Sequence, residues 1–178
     1  MANTTLKNNT SGKSNLRIGN GFDSHSFELG RKLIIGGVHI PYEKGLKGHS
    51  DGDVLTHAVI DSLLGAAGLG DIGEFFPPSD ASLKGVNSIS LLEQIIEKIK
   101  SENWSIVNLD CVLICEEPKI SPYKKQILDS LSEALQIEFG QINLKGKTAE
   151  KMGSLGRGEG IAAIVVSLLE KHKSVAAE

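Results

Sequence analysis

Residues 161–169, IAAIVVSLL, form an almost entirely apolar run that is rich in β-branched side chains and therefore predicts a strand. A strand directs alternate side chains to opposite faces of its sheet, so this run makes both faces apolar. Helices of the same chain can cover one face, and the other face then needs a different cover. We expect that cover to be another subunit, so the run predicts an oligomer built around its sheet.

The remaining patterns predict an α+β fold, a single domain in which helices cover one face of a mixed sheet. KLIIGGVHIPY predicts a β-hairpin that turns at Gly36 and Gly37. Apolar residues at helical spacing predict three helices, with strands between and after them. The predicted helices cover residues 51–69, 88–101 and 121–136, the predicted strands cover 106–115, 142–146 and 160–169, and residues 70–80 are expected to form a loop.

Local signals set the expected limits of these elements. Ser50 and Asp53 have the spacing of a capping box ahead of the first helix. Ser121 followed by Pro122 is typical of a helix start. The predicted organisation is a disordered tail at residues 1–15, one domain at 16–171 and a short tail at 172–178.

Size and charge exclude several classes of function. The chain has 178 residues, which suits one domain, and its net charge of −3 comes without a basic block, so nucleic-acid binding is not expected. The sequence has no apolar run of about 18 residues, so a membrane span is not expected either. Cys111 and Cys115 would lie about 13 Å apart on one strand, too far for a disulfide, which suits a reducing compartment. We expect a cytoplasmic protein, with the plastid stroma as the alternative that the Ser-rich, acid-poor first residues leave open.

Two short stretches place acids and histidines at spacings that suit a metal site. In GFDSH, Asp23 and His25 are two residues apart, so they point to the same face of an extended chain. In HSDGDVLTHAVID, Asp53, His57 and Asp61 recur every four residues and form one stripe of a helix. Three nitrogen or oxygen ligands with an open position are the pattern of a catalytic zinc site, which Asp23, His25 and His57 would supply.

Two interpretations of these residues stay open on spacing alone. In one, Asp53 and Asp61 support the metal site by orienting an imidazole or a substrate hydroxyl. In the other, the helix stripe is an ordinary solvated polar face. His49 is similarly either a turn residue or a phosphate contact close to a helix N-terminus.

Residues 145–160, KGKTAEKMGSLGRGEG, combine charged groups with a flexible loop. Lys147 and Arg157 supply positive charge, Thr148 supplies a hydroxyl and Glu150 a carboxylate. The glycines allow backbone N–H groups to approach an anion closely. The spacing matches neither a dinucleotide-binding turn nor a Walker loop, so the loop indicates anion binding without identifying the anion.

Four stretches together resemble the 2-C-methyl-D-erythritol 2,4-cyclodiphosphate synthases of the non-mevalonate isoprenoid pathway. They are GFDSH, HSDGDVLTHAVIDSLLGAAGLGDIGEFFP, EEPKI and TAEKMGSLGRGEGIA, and the resemblance runs from about Leu16 to Lys171. It implies a metal-dependent intramolecular phosphoryl transfer that converts 4-diphosphocytidyl-2-C-methyl-D-erythritol 2-phosphate to 2-C-methyl-D-erythritol 2,4-cyclodiphosphate and CMP. It also implies a homotrimer in which the sheets pack around a three-fold axis and each active site lies between subunits.

The resemblance further implies two metal ions. Asp23, His25 and His57 would hold Zn²⁺. A second ion, Mg²⁺ or Mn²⁺, would bridge two phosphates of the substrate. Its expected protein ligand is Glu150, because a carboxylate is the hard oxygen donor that such an ion prefers.

The other roles are assigned by matching position. The residues expected to act in catalysis are His49, Thr148 and Asp61. The expected substrate-binding residues are Asp23, Ser24, His25, His49 and Ser50 beside the zinc site; Asp71, Ile72 and Gly73 at the ribose; Phe76, Pro77, Pro78, Ser79 and Asp80 over the erythritol portion; Cys115, Glu116, Glu117, Pro118, Lys119, Ile120, Ser121 and Lys147 at the cytidine; and Thr148, Ala149, Glu150, Ser154 and Arg157 in the glycine-rich loop.

Four positions depart from the family pattern. Pro78 stands where many relatives have Asp, Ala149 replaces a common Thr or Ser, and Lys147 replaces a frequent Thr. Ser154 stands where an aromatic side chain often helps Phe22 to line a central apolar cavity, so an isoprenoid diphosphate is not expected to bind there. Two rival functions stay open, namely another metal-dependent nucleotide phosphohydrolase on the same scaffold and a non-catalytic, zinc-stabilised assembly protein.

Overall fold

A five-stranded sheet forms the centre of the molecule. The computed structural model describes residues 14–173. The strands pair in the order β4-β1-β7-β5-β6, with β5 and β6 parallel and the other pairs antiparallel. Their bounds are β1 Leu16–Leu29, β4 Lys44–Leu46, β5 Trp104–Ile114, β6 Ile142–Lys147 and β7 Gly160–Lys171, and a separate hairpin consists of β2 Leu33–Ile35 and β3 Val38–Ile40. The predicted mixed sheet and the hairpin at Gly36 and Gly37 are confirmed.

Helices cover one face of this sheet, and the core lies between the two layers. The helices are α1 Val54–Ala67, α2 Ile72–Phe75, α3 Ser88–Ser101, α4 Lys124–Leu135 and α5 Gly153–Gly156, and single 3-10 turns occur at Ala81–Leu83, Ser121–Tyr123 and Phe139–Gln141. The core is largely aliphatic, and on α3 it takes in the apolar residues Leu91, Leu92, Ile95, Ile96 and Ile99. The predicted single α+β domain is confirmed. In residues 14–173, none of the helices has the length and apolar character needed to cross a membrane.

Two glycines of β1 allow α1 to pack directly on the sheet. A Cβ on Gly19 would lie 1.8 Å from the carbonyl oxygen of Ser62, and one on Gly21 would lie 1.9 Å from that of Ala58. Any larger side chain would therefore push the helix away. Both glycines share a strand face with the acid and histidine of GFDSH, because alternate residues point the same way. This close packing places α1 beside Asp23 and His25, which form the polar end of that face.

Asp53 joins the hairpin to the first helix. Its carboxylate accepts hydrogen bonds from the backbone N–H groups of Gly36 at 2.9 Å and Gly37 at 2.7 Å. It also accepts from the N–H of Thr56 at 3.1 Å and from its hydroxyl at 2.7 Å, so Asp53 is the N-cap of α1. The predicted capping box of Ser50 and Asp53 is wrong, because Asp53 itself caps the helix. Asp53 is fully buried and is therefore no part of a solvated face.

The opposite face of the sheet carries apolar side chains that lie open in the single chain. On β1, Ile18 is 73% exposed and Phe22 is 58% exposed, and on β7 Val166 is 43% exposed. Ile164 is paired with Phe22, so the apolar side chains of the two strands adjoin. An apolar surface of this kind marks an interaction site. The prediction that β7 is apolar on both faces is confirmed, and a covering subunit stays a prediction.

Two local predictions are wrong. Residues 70–80 are not a simple loop, because α2 forms one turn within them, capped by the Asp71 carboxylate. The third helix begins at Lys124, because Ser121 and Pro122 form a 3-10 turn that precedes it.

The predicted tails fall mostly beyond the described part of the chain. Residues 1–13 and 174–178 lie outside the described residues. The limits proposed for the tails and for the domain between them therefore stay predictions.

Candidate active site

Three predicted metal ligands converge where α1 crosses β1. Asp23 Oδ2 lies 2.8 Å from His25 Nε2 and 3.0 Å from His57 Nδ1. The two imidazole nitrogens are 3.2 Å apart. Within residues 14–173, these three side chains form a group whose donor atoms are close enough to share one metal ion. The predicted convergence is confirmed.

This donor set suits a dication that prefers nitrogen and oxygen ligands. Zinc bonds of about 2.0–2.1 Å place tetrahedral ligands about 3.3–3.4 Å apart. The observed separations of 2.8, 3.0 and 3.2 Å are slightly shorter, so a small outward shift of the side chains would accommodate the ion. The carboxylate oxygen and the two facing imidazole nitrogens make three mutual contacts. Hydrogen bonds satisfy only part of these contacts, because the ionised carboxylate only accepts, whereas a bound cation satisfies all three. The residues therefore fit a metal of the zinc type.

The Asp23 carboxylate is held in its ionised form. Burial alone would raise the pKa of this carboxyl, but hydrogen bonds and charge from His25 and His57 outweigh burial and hold the pKa well below its usual range. The other oxygen, Oδ1, accepts a hydrogen bond from the N–H of Ser24 at 2.8 Å. The metal-ligand group therefore includes a negatively charged carboxylate whose orientation is already fixed.

The second nitrogen of His57 meets two serine hydroxyls. His57 Nε2 lies 3.0 Å from Ser50 Oγ and 3.0 Å from Ser88 Oγ. Ser88 also donates to Asp51 Oδ1 at 2.5 Å. Sequence reasoning missed Asp51 and Ser88. Ser88 lies 31 residues from His57, and no spacing rule links the first turn of α3 to a side chain on α1.

The three residues of the predicted helix stripe have different surroundings. Asp61 Oδ1 accepts a hydrogen bond from the N–H of Ile72 at 2.8 Å, which ties the start of α2 to α1. Burial raises the pKa of the Asp61 carboxyl. The predicted orienting role of Asp53 toward an imidazole is wrong, because its carboxylate is bound to the hairpin and to the first turn of α1. A catalytic role for Asp61 stays a prediction.

A cavity of about 270 Å³ opens beside the metal-ligand group. It brings together many of the predicted substrate residues, and its lining combines polar with apolar side chains. Its lining consists of His25, His49, Ser50, His57, Ile72, Gly73, Phe76, Pro77, Pro78, Leu83, Val86 and Leu91. Five residues predicted for this side of the substrate stand outside this lining. They are Asp23 and Ser24 on β1, Asp71, which caps α2, Asp80, which caps the following 3-10 turn, and Ser79.

Arg31 fixes the backbone on either side of His49. Its guanidinium donates to the carbonyl oxygen of Gly48 at 3.0 Å and to that of Ser50 at 2.8 Å. The exposed His49 side chain is thus presented to the cavity from a braced segment. Sequence reasoning missed Arg31 as well, because its partners are backbone atoms.

A second pocket, of about 220 Å³, collects most of the residues predicted to bind the base. Its lining consists of Leu113, Cys115, Glu116, Lys119, Ile120, Ser121, Gly146, Lys147 and Thr148. The same segment contains a cis peptide bond between Glu117 and Pro118. Burial raises the pKa of the Cys115 thiol to about 12, and the thiol donates to the Glu117 carbonyl at 3.0 Å. Cys115 is therefore a protonated wall of the pocket.

Glu116 holds the glycine-rich loop beside this second pocket. Its carboxylate accepts from the N–H of Ala149 at 2.9 Å and from Lys151 Nζ at 2.8 Å. Glu150 and Lys151 have φ angles of 51° and 63°, in the left-handed region that residues with side chains rarely adopt. The Thr148 hydroxyl donates to Glu150 Oε1 at 2.5 Å, so these two predicted site residues lie side by side. Strained backbone of this kind often marks a functional segment.

Ser154 and Arg157 lie further along the same loop. Both side chains are exposed, and Arg157 pairs with Glu159 at 2.6 Å. Neither residue lines the cavity or the second pocket. Their predicted contacts with the substrate stay predictions.

Two strands separate the metal-ligand group from the glycine-rich loop. Ser24 on β1 and Lys147 on β6 stand in one row of the sheet, with Ala162 of β7 and Ile114 of β5 between them. Three strand spacings of about 4.8 Å put the ends of that row about 14 Å apart. The cavity and the second pocket have separate linings among the described residues. A single chain thus presents two separate candidate sites.

The fold belongs to a known family of enzymes. The family model of the YgbB family matches residues 16–170, and the chain belongs to this family. The 2-C-methyl-D-erythritol 2,4-cyclodiphosphate synthase of Enterococcus faecalis is 53% identical over 156 residues, which cover 88% of this chain and 99% of that protein. The resemblance that the four sequence motifs indicate is therefore confirmed.

Solved structures show the same fold. The bifunctional IspDF from Campylobacter jejuni superposes with a TM-score of 0.85 at 40% identity, and the match covers 89% of this chain and 43% of that longer chain. The CDP complex of IspF from Plasmodium falciparum gives a TM-score of 0.78 at 37% identity, with 89% of this chain and 97% of that chain covered.

Proposed function

We propose that the protein converts 4-diphosphocytidyl-2-C-methyl-D-erythritol 2-phosphate to 2-C-methyl-D-erythritol 2,4-cyclodiphosphate and CMP. The observation that carries this proposal is the convergence of Asp23, His25 and His57 beside a cavity that also contains His49 and Ser50. In this reaction the 2-phosphate attacks the β-phosphorus, so two anions must approach each other. Such a step requires a cation and hydrogen-bond donors on the same side of the substrate. The name of the relative at 53% identity supports the same chemistry here.

In this proposal Asp23 Oδ2, His25 Nε2 and His57 Nδ1 hold Zn²⁺. When bound, zinc supplies charge neutralisation and polarisation at the β-phosphate. Both histidines also line the cavity, which supports a metal position in reach of the substrate. The protein preorganises the ligands through the N–H of Ser24 at the carboxylate and through serine hydroxyls at His57 Nε2.

Donors on the metal side of the cavity stabilise the phosphates. His49 and Ser50 contact the phosphate oxygens, and His49 stabilises the charge that develops in the transition state. The bracing by Arg31 supports this role, because a preorganised donor loses little energy to reorganisation. Asp61 contributes by holding Ile72 at the start of α2.

The remainder of the cavity binds the sugar portions. Asp71, Ile72 and Gly73 contact the ribose, and residues 76–80 cover the erythritol portion. Pro78 offers no side-chain hydrogen bond, so this loop contributes shape and exclusion of water.

The second pocket binds the cytidine through residues 115–121 and Lys147. Backbone groups of this segment hydrogen-bond the base. Thr148 stabilises charge on the phosphates, and Glu150 binds Mg²⁺ or Mn²⁺ through a hard carboxylate oxygen. The short contact between Thr148 and Glu150 supports a shared position of these two residues at the diphosphate. Arg157, with Ala149 and Ser154 on the same loop, completes the phosphate side.

The proposal includes a homotrimer in which the two half-sites of one active site come from neighbouring chains. Two observations support this arrangement. The open face of the sheet exposes Ile18, Phe22 and Val166, which a neighbouring sheet would cover. The separation of the half-sites within one chain supports pairing each with the complementary half-site of the next subunit. In a closed three-fold ring, all three sites would be equivalent.

The test is incubation of the purified protein with the proposed substrate, Zn²⁺ and Mg²⁺, followed by ³¹P NMR. We expect CMP and the cyclic diphosphate in equal amounts. A phosphohydrolase would release CMP together with an open-chain bisphosphate, because water would take the place of the 2-phosphate. A zinc-stabilised assembly protein would give neither product.

A further inference from the structure

A small buried hydroxyl and carboxylate network lies behind His57, on the side away from Asp23 and His25. Ser88, at the start of α3, is fully buried and Ser50 is 7% exposed. Ser88 contacts Asp51 twice, since its hydroxyl donates to Oδ1 at 2.5 Å and its N–H donates to Oδ2 at 3.1 Å. This geometry places the Asp51 carboxylate two hydrogen bonds away from the metal-ligand group.

The protons in this network can be assigned from its donors and acceptors. The Ser88 hydroxyl has two acceptors in reach, Asp51 Oδ1 at 2.5 Å and Ser50 Oγ at 3.3 Å. The carboxylate is the nearer and the stronger acceptor, so the Ser88 hydroxyl proton points to Asp51. The Ser88 oxygen is then free to accept from His57 Nε2–H at 3.0 Å. A proton on Nε2 leaves Nδ1 of the neutral ring unprotonated, and Nδ1 is the atom that faces Asp23. The network therefore selects the tautomer that a metal requires.

Ser50 is the competing acceptor at the same nitrogen. Its oxygen is also 3.0 Å from His57 Nε2, but it already accepts from the N–H of Gly52 at 3.2 Å. Ser88 is the stronger acceptor, because its own proton is given to a carboxylate and hydrogen bonds in a chain polarise one another. Ser50 also lines the cavity, where its hydroxyl can serve a ligand.

We propose that Asp51 and Ser88 are positioning residues that hold the tautomer and ring orientation of His57 and thereby tighten zinc binding. This inference rests on the zinc site of the proposed function. The same network links the metal-ligand group to the segment around His49. The N–H of Asp51 donates to Val86 O at 3.0 Å and the N–H of Gly85 donates to His49 O at 2.8 Å.

The experiment measures zinc affinity, by competition with a chromogenic chelator, starting from the zinc-loaded full-length protein. Hydrogen-bond partners of metal-bound histidines typically contribute 10–100-fold in metal affinity, so we expect Ser88→Ala to weaken zinc binding by about 10-fold or more. Ser90→Ala is the matched control, because Ser90 lies in the same helical turn and its hydroxyl donates to Asn87 O at 2.7 Å. We expect that control to stay within about twofold of wild type.

Two further variants separate a metal-directed role from a merely structural one. Asp51→Asn should also weaken zinc binding. A protein with both Ser88→Ala and Asp51→Asn should bind zinc as tightly as whichever single variant binds it less tightly, because both residues act through one contact with His57. Ser88→Thr retains the hydroxyl and should restore most of the affinity, and Asp51→Asn serves as the test if Ser88→Ala fails to fold.

The outcomes are distinguishable. Wild-type affinity in Ser88→Ala, or losses that multiply in the double variant, would overturn the positioning role while the zinc site stands. A wild-type protein that binds no zinc would overturn the zinc site of the proposed function itself.

Discussion

Two regions of the molecule differ in how completely a single chain builds them. They are the metal half, which is the metal-ligand group with its cavity, and the base half, which is the second pocket with the glycine-rich loop. The metal half is partly buried, and its ligands are already within 3.2 Å of one another. In the base half, the loop that carries Thr148 and Glu150 is exposed, these two side chains contact each other, and Glu150 adopts a left-handed backbone. The contacts among the metal ligands are thus already made within one chain, whereas in the proposed trimer the base half would gain further contacts from a neighbouring chain.

The cause of this difference lies in packing. The metal half is held from two sides, by the glycine-mediated contact of α1 with β1 and by hydrogen bonds from the start of α3. In the base half, the side chain that holds the glycine-rich loop is Glu116, which belongs to the same half. For the proposed homotrimer, we therefore expect the free chain to bind the metal, and the substrate to bind only after assembly.

The largest effect should come from breaking the metal half at His57. His57→Ala leaves two ligands, which is too few for a tight zinc site. We expect loss of bound zinc by elemental analysis and a fall in turnover on the order of 10³-fold, because metal stabilisation of a phosphoryl transition state is worth several kcal/mol. His39→Ala is the matched control, since His39 is an exposed histidine of the hairpin. Full zinc content in His57→Ala would remove this residue from the site.

Breaking the base half at its proposed metal ligand should have a smaller effect. Glu150→Gln replaces the carboxylate by a neutral amide, a poor ligand for Mg²⁺ beside phosphates. We expect zinc content to be unchanged and turnover to fall about 10²-fold, the size of effect seen when one transition-state contact is removed. Glu133→Gln is a suitable control, because Glu133 is an exposed residue of α4 and lines neither the cavity nor the second pocket. Near-normal turnover across a range of Mg²⁺ concentrations would argue against the role of Glu150.

The packing that distinguishes the two halves can be tested at Gly21. Gly21→Ala would place a methyl group against the carbonyl of Ala58, a backbone atom that cannot swing aside. We expect a loss of about 3 kcal/mol in the free energy of unfolding, at the upper end for overpacking, together with weaker zinc binding. Gly140→Ala is the control, because a Cβ there meets no described atom within 4 Å. Equal denaturation midpoints for the two variants would contradict the close-packing argument.

The metal half was predictable because its parts are local patterns. Asp23 and His25 follow the strand period of two, and His57 lies one helical turn after Asp53 in the predicted first helix. The same helical period also selected Asp53, for which it predicted the wrong role. Its partners Gly36 and Gly37 lie in the hairpin, and periodicity within a helix carries no information about contacts between elements.

Other features depend on tertiary structure and left little signal in the sequence. Ser88 and Asp51 meet His57 only because α3 starts beside the turn that precedes α1. The single turn of α2 is stabilised by its cap and by Asp61, and a stretch this short shows no helical period. The family resemblance was enough to name the residues of the base half. The distance between the glycine-rich loop and β1 could not be predicted in the same way, because it depends on the strand order of the sheet.

The smallest expected effect is a partial recovery of activity when two inactive variants are mixed. It tests whether the metal half and the base half of one site come from different chains. His57→Ala should inactivate the metal half and leave the base pocket intact. Cys115→Trp should fill the base pocket, since Cys115 lines it, and leave the metal ligands intact. Each variant alone should be inactive.

When the two are denatured and refolded together in equal amounts, a working site needs an intact metal half on one chain and an intact pocket on its neighbour. Each condition has even odds under random closed three-fold mixing, so about one quarter of the sites should recover. Activity near a quarter of refolded wild type would support sites shared between chains. If the mixture stays inactive while wild type treated identically recovers, both half-sites serve the same chain, and the open apolar face of the sheet must have another purpose.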